Sequence, residues 1–475
     1  MERSQWKRVI GLVALWSVSS VSSVSSVPSA PASGQAATTT ESAVRAAIPE
    51  SLTLADAERL LVDRNLAVAS NRELVAAAQA ARQIASYKPN PAVQFGAEQF
   101  PFSSPLAGSV PRFFTTDSNA GAQPTYTVQF SKIFERGGKR EFRIEQADAT
   151  VEAARFQVQD TLRVQLFQLR QAFATGLVAR DNLRLAETIQ TQYERTEQLT
   201  IVRVQAGDFA QMELYRVRAG RLQYAQAVID ARNAYALAAR DVLNILNAPT
   251  SEAPAGAPET PGARPASASA AGSGQPPAPL QILGDFSDAT VGRTLRELRA
   301  LSLTTRPDVQ LARQNLIAAE KAVALARAQR SRDVSASVEY QKVGDDHSLG
   351  VITQVPLFLY NNQRSGIAQA EAQRRSAEAL FRLSERQAIT DVEKAYQSYV
   401  AAGEALALYN SENLNQVTRL QDIAEFTFRQ GNTSLFELLD VQRSTRQVLM
   451  AYNQSRANYQ LSLWQLELAV GAPIF

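Results

Sequence analysis

The side chains that usually carry out chemistry are scarce in this sequence. There is no Cys, one His (His347) and three Met (Met1, Met212 and Met450). Without Cys there is no thiol nucleophile, thiolate metal site, disulfide or lipid-modified N-terminal Cys. A single His excludes a His-pair metal site and argues against Ser-His-Asp catalysis. Three isolated thioethers do not make a relay for soft metals. Gly137-Gly138-Lys139-Arg140 looks at first like a phosphate-cradling loop. It lacks the Gly-x4-Gly-Lys-Ser/Thr spacing that wraps backbone N–H groups around a phosphate, so it reads as a structural turn. These residues point to no catalytic, cofactor or metal site, and enzyme readings are poor.

The elements that would position any remaining function are repetitive. The chain has 475 residues, 45% hydrophobic and 20% charged, with a formal net charge of +3. Much of that charge sits at the N-terminus, where Arg3, Lys7 and Arg8 outnumber Glu2. A balanced surface of this kind lacks the basic face of a nucleic-acid binder. The same N-terminal residues precede the apolar stretch Val9–Val18 and small-residue cleavage options ending at Ala32 or Ala36. That is an export signal over residues 1–36, too short in its apolar part for the ~20 residues of a spanning helix. No later segment offers an uninterrupted apolar span. Any membrane contact must then be made as a barrel or at the surface.

The chain is written twice. Shifted by 241, Val68–Glu98 falls on Val309–Glu339; shifted by 224, Phe134–Pro249 falls on Phe358–Pro473 without a gap. Gly207/Gly431, Glu213/Glu437, Leu214/Leu438, Tyr235/Tyr459 and Ala248-Pro249/Ala472-Pro473 coincide. The reading is a first repeat over 37–249, a linker over 250–281 and a second repeat over 282–475. The stretch Pro249–Leu280 holds eight of the chain's 20 Pro and much Ala, Ser and Gly, a composition that cannot bury a core.

Each repeat reads as helix, strand, loop, strand, long helix, turn and long helix. Helical spacing runs over Leu54–Ser86 and stops before Pro89-Asn90-Pro91. Val93, Phe95 and Ala97 alternate with polar neighbours, as do Tyr126, Val128 and Phe130, then Val334, Ala336, Val338 and Tyr340, with Leu349–Val355 as the fourth strand. Period two with one apolar face is what a membrane barrel wall needs, although a soluble hairpin on a core gives the same pattern. From Lys139 to Gln205 no Pro interrupts, a rod on the order of 100 Å at ~1.5 Å per residue. It turns at Ala206-Gly207-Asp208 and resumes to Asn247; the second copy runs from Arg364 to Gln430, turns at Gly431-Asn432-Thr433-Ser434 and returns to Val470. At the strand-to-helix corner, Gly137-Gly138 corresponds to Asn361-Asn362, pairs that share tolerance of positive φ.

The expected fold class is mainly α with a small β part. Four strands per chain cannot close a membrane barrel, since bacterial barrels start at about eight. Strands in lipid would therefore have to be pooled from several chains, with the helical hairpins packed beside one another as a tube. An exported chain with this duplicated unit resembles the TolC-like outer membrane efflux proteins, over roughly residues 52–248 and 291–474. The stretch Phe134-Glu135-Arg136-Gly137-Gly138-Lys139-Arg140 is similar to one in the cobalt–zinc–cadmium resistance branch.

The resemblance implies a homotrimer whose pooled strands form one barrel in the outer membrane, in contact with its lipid, and whose helices form a periplasmic tunnel. It implies docking to a periplasmic adaptor and an inner-membrane pump of the RND type. The helical turns Gly207, Asp208, Gly431, Asn432, Thr433 and Ser434 would form the adaptor-contacting tip. Glu437 and Asp440 stand where such proteins carry aperture acids, and three chains would make two carboxylate rings favouring cations. Glu213 and Arg216 occupy the equivalent positions of the first copy, where an acid and a base would pair. The plain alternative for Glu437 and Asp440 is a solvated helix surface. For the whole chain, the expected function is a passive exit duct, foremost for heavy-metal cations. Ducts for organic compounds or secreted polypeptides, and a soluble coiled-coil scaffold, are the other readings.

Overall fold

The computed structural model describes residues 49–98, 124–247, 280–287, 289–357 and 362–475. The expected export signal over 1–36, the loop over 101–123, most of the linker over 250–281 and Asn361 lie outside them. In chain order the elements are β1 (Ser51–Thr53), α1 (Leu54–Arg64), α2 (Leu66–Ser86), β2 (Ala92–Glu98), β3 (Thr125–Phe134), α3 (Lys139–Gln205) and α4 (Gln211–Ile245). The second half holds β4 (Gln281–Leu283), α5 (Leu295–Thr305), α6 (Pro307–Ala328), β5 (Val334–Val343), β6 (Asp346–Gln354), α7 (Arg364–Ala407), α8 (Ser411–Gln430) and α9 (Leu435–Val470). The mainly α fold with a small β part is as the sequence reads.

The duplication is written into backbone and caps. Thr53 and Thr294, 241 apart, both cap a helix of eleven residues, accepting from the N–H of Asp56 and Glu297. At the second site the Glu297 carboxylate also takes the Thr294 N–H at 2.9 Å, completing a capping box. The expected helix over Leu54–Ser86 is broken at Asn65, and its counterpart breaks at Arg306, with φ/ψ of −65°/119° and −67°/122°. Pro307 enforces the second break by excluding helical geometry before it. At the first, the Asn65 amide donates to Gln165 and to the Ile245 carbonyl. Asn247 and Gly471, 224 apart, both take positive φ at the ends of α4 and α9, the left-handed stop common after helices.

Two compact units result. One takes the described residues up to Leu66, between Leu162 and Ser302 and from Asp391 to Phe475, the other those between Ala67 and Thr161 and between Leu303 and Thr390. In the first, the main core joins Leu52 and Ile282 of the parallel β1–β4 pair to Leu61, Leu169, Phe173, Val242 and Leu246. The Tyr235 hydroxyl fixes β4, donating to the Leu280 carbonyl at 2.9 Å and accepting from the Ile282 N–H at 3.0 Å. A second core gathers Leu298, Val392, Ala395, Leu466 and Val470. Within this unit lies a buried ion cluster that sequence patterning misses. Arg170 pairs with Glu58, Nε to Oε1 at 2.6 Å, and with Glu467. Burial pushes the Glu467 carboxyl above the usual carboxylate range, against the pull of Arg170.

Two other expectations are corrected. The long helix from Arg364 to Gln430 is interrupted, because the Asn410 side chain accepts the Asn413 N–H at 2.8 Å and starts a new helix. At the second strand-to-helix corner the positive φ falls on Gln363 (61°), not on Asn362. Asn362 instead turns its side-chain oxygen to the Arg364 N–H at 3.2 Å, leaving the left-handed turn to its neighbour. Gly137 and Gly138 are left-handed as expected, with φ of 78° and 71°.

Candidate functional site

Two places carry the features that a function needs, one in each unit, and each is built from the repeat. In the unit containing Ala67–Thr161 and Leu303–Thr390, the four antiparallel strands lie in the order β2-β3-β5-β6. Both hairpins contribute two strands, and β3 against β5 joins them over ten residue pairs. Register sorts the side chains. On one face run the rows Phe95–Val128–Tyr340–Leu349 and Val93–Phe130–Val338–Val351. On the other run Gln94–Gln129–Glu339–Gly350 and Gly96–Thr127–Gln341–Ser348.

Exposure inverts the usual order. Phe95 is 77% exposed and Val351 76%, while the only buried residues of the four strands, Thr125 and Ser337, lie on the polar face. An apolar sheet face left uncovered by the described residues suits contact with another apolar surface or medium. β3 and β5 have ten residues each, within the roughly 9–11 that a tilted strand needs to cross a bilayer core. Charge is sorted as well. The acids Glu98, Glu339 and Asp346 all sit on the polar face, and the bases Lys132, Lys342 and His347 all on the apolar face, towards its two ends. Among the described residues β2 and β6 each leave one edge unpaired.

The sheet is tied to its helices by the corner that the glycines permit. Asp333, just before β5, accepts from the Arg136 N–H at 3.0 Å and from Lys139 Nζ at 2.8 Å. Arg143 forks onto both oxygens of Glu135. Lys139 is thus engaged by a carboxylate, and Gly137–Arg140 is a turn and no phosphate loop. A Cβ on Gly137 would lie 2.6 Å from the Ser331 Cβ and 3.2 Å from the Ala328 carbonyl oxygen, so the close approach requires glycine as well as the positive φ.

The other place is the pair of helical turns. Gly207 and Gly431 are left-handed, with φ of 87° and 84°. The turns share two hydrogen bonds position for position: Asp208 N–H to Arg203 O and Asn432 N–H to Thr427 O, Gly207 N–H to Val204 O and Gly431 N–H to Phe428 O. They differ at the next helix start. Ser434 accepts from the Glu437 N–H at 3.2 Å, whereas its counterpart Ala210 offers no side-chain cap. Under the turns Val217, Ala424, Phe428, Leu435 and Leu438 form a core. Arg203 lies against both Phe209 and Phe428, with centroid distances of 5.1 and 5.0 Å. Gly207, Asp208, Gly431, Asn432 and Ser434 are exposed and Thr433 is half-buried.

Glu437 and Asp440 are exposed on the first turns of α9, and neither forms an ion pair among the described residues. Their counterparts Glu213 and Arg216 do pair, at 3.0 Å, as the mixed charges suggest. Among the described residues no group of three His, Asp or Glu is placed to hold a metal ion, and no helix is long and apolar enough to cross a membrane.

Residues 298–472 match the family model "Outer membrane efflux protein". No curated protein matches the chain by sequence. Among solved structures, the outer-membrane channel OprN superposes with a TM-score of 0.67 at 18% identity, over 88% of this chain and 90% of its own. CusC, described with its transmembrane channel formation, gives 0.67 at 15% identity, covering 88% and 92%. The outer membrane protein VceC from Vibrio cholerae gives 0.66 at 16% identity, covering 89% and 97%. The chain therefore has the fold of these outer-membrane channels, and its second repeat carries the sequence signature of the outer membrane efflux proteins.

Proposed function

We propose that this protein is the outer-membrane exit duct of an efflux system, a passive channel with no reaction of its own. The observation that carries the reading is the inverted sheet, apolar and exposed on one face and polar on the other across all four strands. Lipid satisfies the first face and a water-filled lumen the second. Open edges at β2 and β6 are untenable in lipid, so several chains pool their strands, and three is the number the resemblance gives. The helical hairpins then form the periplasmic tunnel. Their turns, from Gly207-Asp208 and Gly431 to Ser434, meet a periplasmic adaptor that links to an RND-type inner-membrane pump.

Heavy-metal cations are the proposed cargo. Two observations support cations: the polar face carries Glu98, Glu339 and Asp346 with no base among its described residues, and Glu437 and Asp440 stand unpaired beside the second turn. Carboxylate-lined conduits favour cations without holding them tightly. The first test is fractionation with crosslinking and planar-bilayer recording of the purified full-length protein. Outer-membrane trimers with cation-preferring conductance are expected; a soluble monomer without conductance would sink the duct. For the cargo, a deletion strain should lose tolerance to zinc, cobalt or cadmium and regain it from a plasmid copy. Sensitivity to organic toxicants alone would replace the metal reading.

A further inference from the structure

The apolar face of the sheet ends, away from the helices, in the row Ala97–Tyr126–Lys342–His347 beside the Gly344-Asp345 turn. Lys342 and His347 are direct cross-strand partners, at the ~4.5–5.5 Å Cβ spacing of such pairs. The pair sets an ammonium beside an imidazole at the end of an apolar face, two hydrogen-bond donors that one anion can bridge. Asp345, in the adjoining turn, forms no ion pair with either of them among the described residues. All three acids of the sheet are on the other face, and Lys342 forms no ion pair among the described residues. His347 is held in place by the Tyr340 hydroxyl at Nδ1, its ring stacked on Tyr340 at 5.9 Å between centroids. When that hydroxyl donates to Nδ1, Nε2 carries the hydrogen and is left as a donor.

We propose that Lys342 and His347 form a binding site for the phosphate of an anionic glycolipid headgroup at the outer rim of the barrel wall. The inference rests on the reading of this sheet as a membrane wall. In that setting the rows below, Phe95–Val128–Tyr340–Leu349 and Val93–Phe130–Val338–Val351, meet acyl chains. Tyr126, in the row of Lys342, lies at headgroup depth, and the Tyr340 hydroxyl reaches His347 from the row below. The ammonium and the imidazole N–H then face the phosphate layer, and the lipid provides an anion that no described strand residue places on this face. Lys132 marks the opposite, helix-proximal end of the same face and serves as the control.

The test uses the full-length protein reconstituted in phosphatidylcholine vesicles doped with diphosphorylated lipid A or with the same lipid stripped of phosphate. Lipid carried through purification is then counted by native mass spectrometry. The intact protein should retain the phosphorylated form in preference by roughly fivefold, the scale expected of one cation at a membrane surface. The double variant Lys342→Gln/His347→Gln should lose that preference, Lys342→Arg should keep it, and Lys132→Gln should leave it unchanged. Equal retention of the two lipids by the intact protein, or a preference that survives the double variant, would overturn the proposal. Failure to insert into either vesicle would overturn the membrane-wall reading beneath it.

Discussion

The guanidinium of Arg203 donates from Nη2 to the Arg429 carbonyl at 2.8 Å, so a side chain of the first repeat's turn closes the last helical turn of the second. The contact is one-sided: the residue equivalent to Arg203 in the second repeat is Thr427, which bonds only within its own helix. Replacing Arg203 with Gln removes two cation–π contacts worth about 0.5–1 kcal/mol each at exposed sites, besides the hydrogen bond. Amide exchange over Phe428–Ser434 should accelerate, while Thr427→Val should leave it unaltered. Equal effects from both substitutions would show that the bridge is not what holds the turns.

Carboxylates in two places are expected to set ion preference, and they can be separated. Glu437→Gln/Asp440→Asn removes the acids beside the turn, and Glu339→Gln removes one on the polar face of the sheet. Each should shift reversal potentials in single-channel recordings towards lower cation preference, because fixed charge in a narrow conduit concentrates counter-ions. Unchanged selectivity in the first variant would assign Glu437 and Asp440 to an ordinary solvated surface.

Gln442 is buried in α9, and neither its amide nitrogen nor its amide oxygen has a partner among the described residues. Its counterpart Arg218 reaches Glu197 at 3.2 Å. A buried amide without partners costs about 1–3 kcal/mol, so Gln442→Leu should raise thermal stability by a similar amount. A fall in Tm would mean that this amide is satisfied in the assembled protein.

Removing the cation of the Arg170 cluster leaves the carboxylates of Glu58 and Glu467 facing each other with little water. Arg170→Leu should therefore cost about 3–5 kcal/mol, well beyond Glu467→Gln, which keeps a hydrogen-bonding group. The acid also sets a pH dependence. Burial raises the folded-state pKa of Glu467, so the folded protein holds this proton more tightly than the unfolded chain. Its contribution to stability is full below the unfolded value near 4.5 and declines as pH rises from there through the folded-state value. Thermal scans across that window should show the decline in the parent and its absence in Glu467→Gln.

The two faces of the sheet predict opposite sensitivities at neighbouring positions. Val338→Lys places a charge in the apolar row and should cost about 2–4 kcal/mol if that row lies near the bilayer midplane, where Glu339→Gln, one residue on, should cost almost nothing. Folding yield into vesicles measures both. Equal tolerance at 338 and 339 would remove the assignment of lipid and lumen faces.

Much of this was legible in the sequence because it is local. Period two placed three of the strands and their faces, the fourth starts three residues before the expected Leu349, and the gapless 224-residue shift put Gly207 and Gly431 in equivalent turns. What escaped was decided by single side chains or by distant partners. Asn410 can sit on a helix surface or cap a new helix, and only its bond to Asn413 decides. Gln363 has no intrinsic claim to a left-handed turn and takes it because Asn362 spends its side chain elsewhere. The three-residue strands β1 and β4 have no period to read, and Glu58, Arg170 and Glu467 meet across nearly the whole chain.

The unpaired edges of β2 and β6 also bear on how the protein comes into being. Among the described residues the sheet has open hydrogen-bonding edges on both sides and no apolar cover for one face, so if it is the shared wall proposed above it has no finished state before it meets other copies. Maturation of the wall should then be of higher than first order in protein concentration, unlike the closing of the helical cores, which needs one chain only. On that reading the same edges are open to any β-prone segment between those events, and yield should depend on how quickly copies meet.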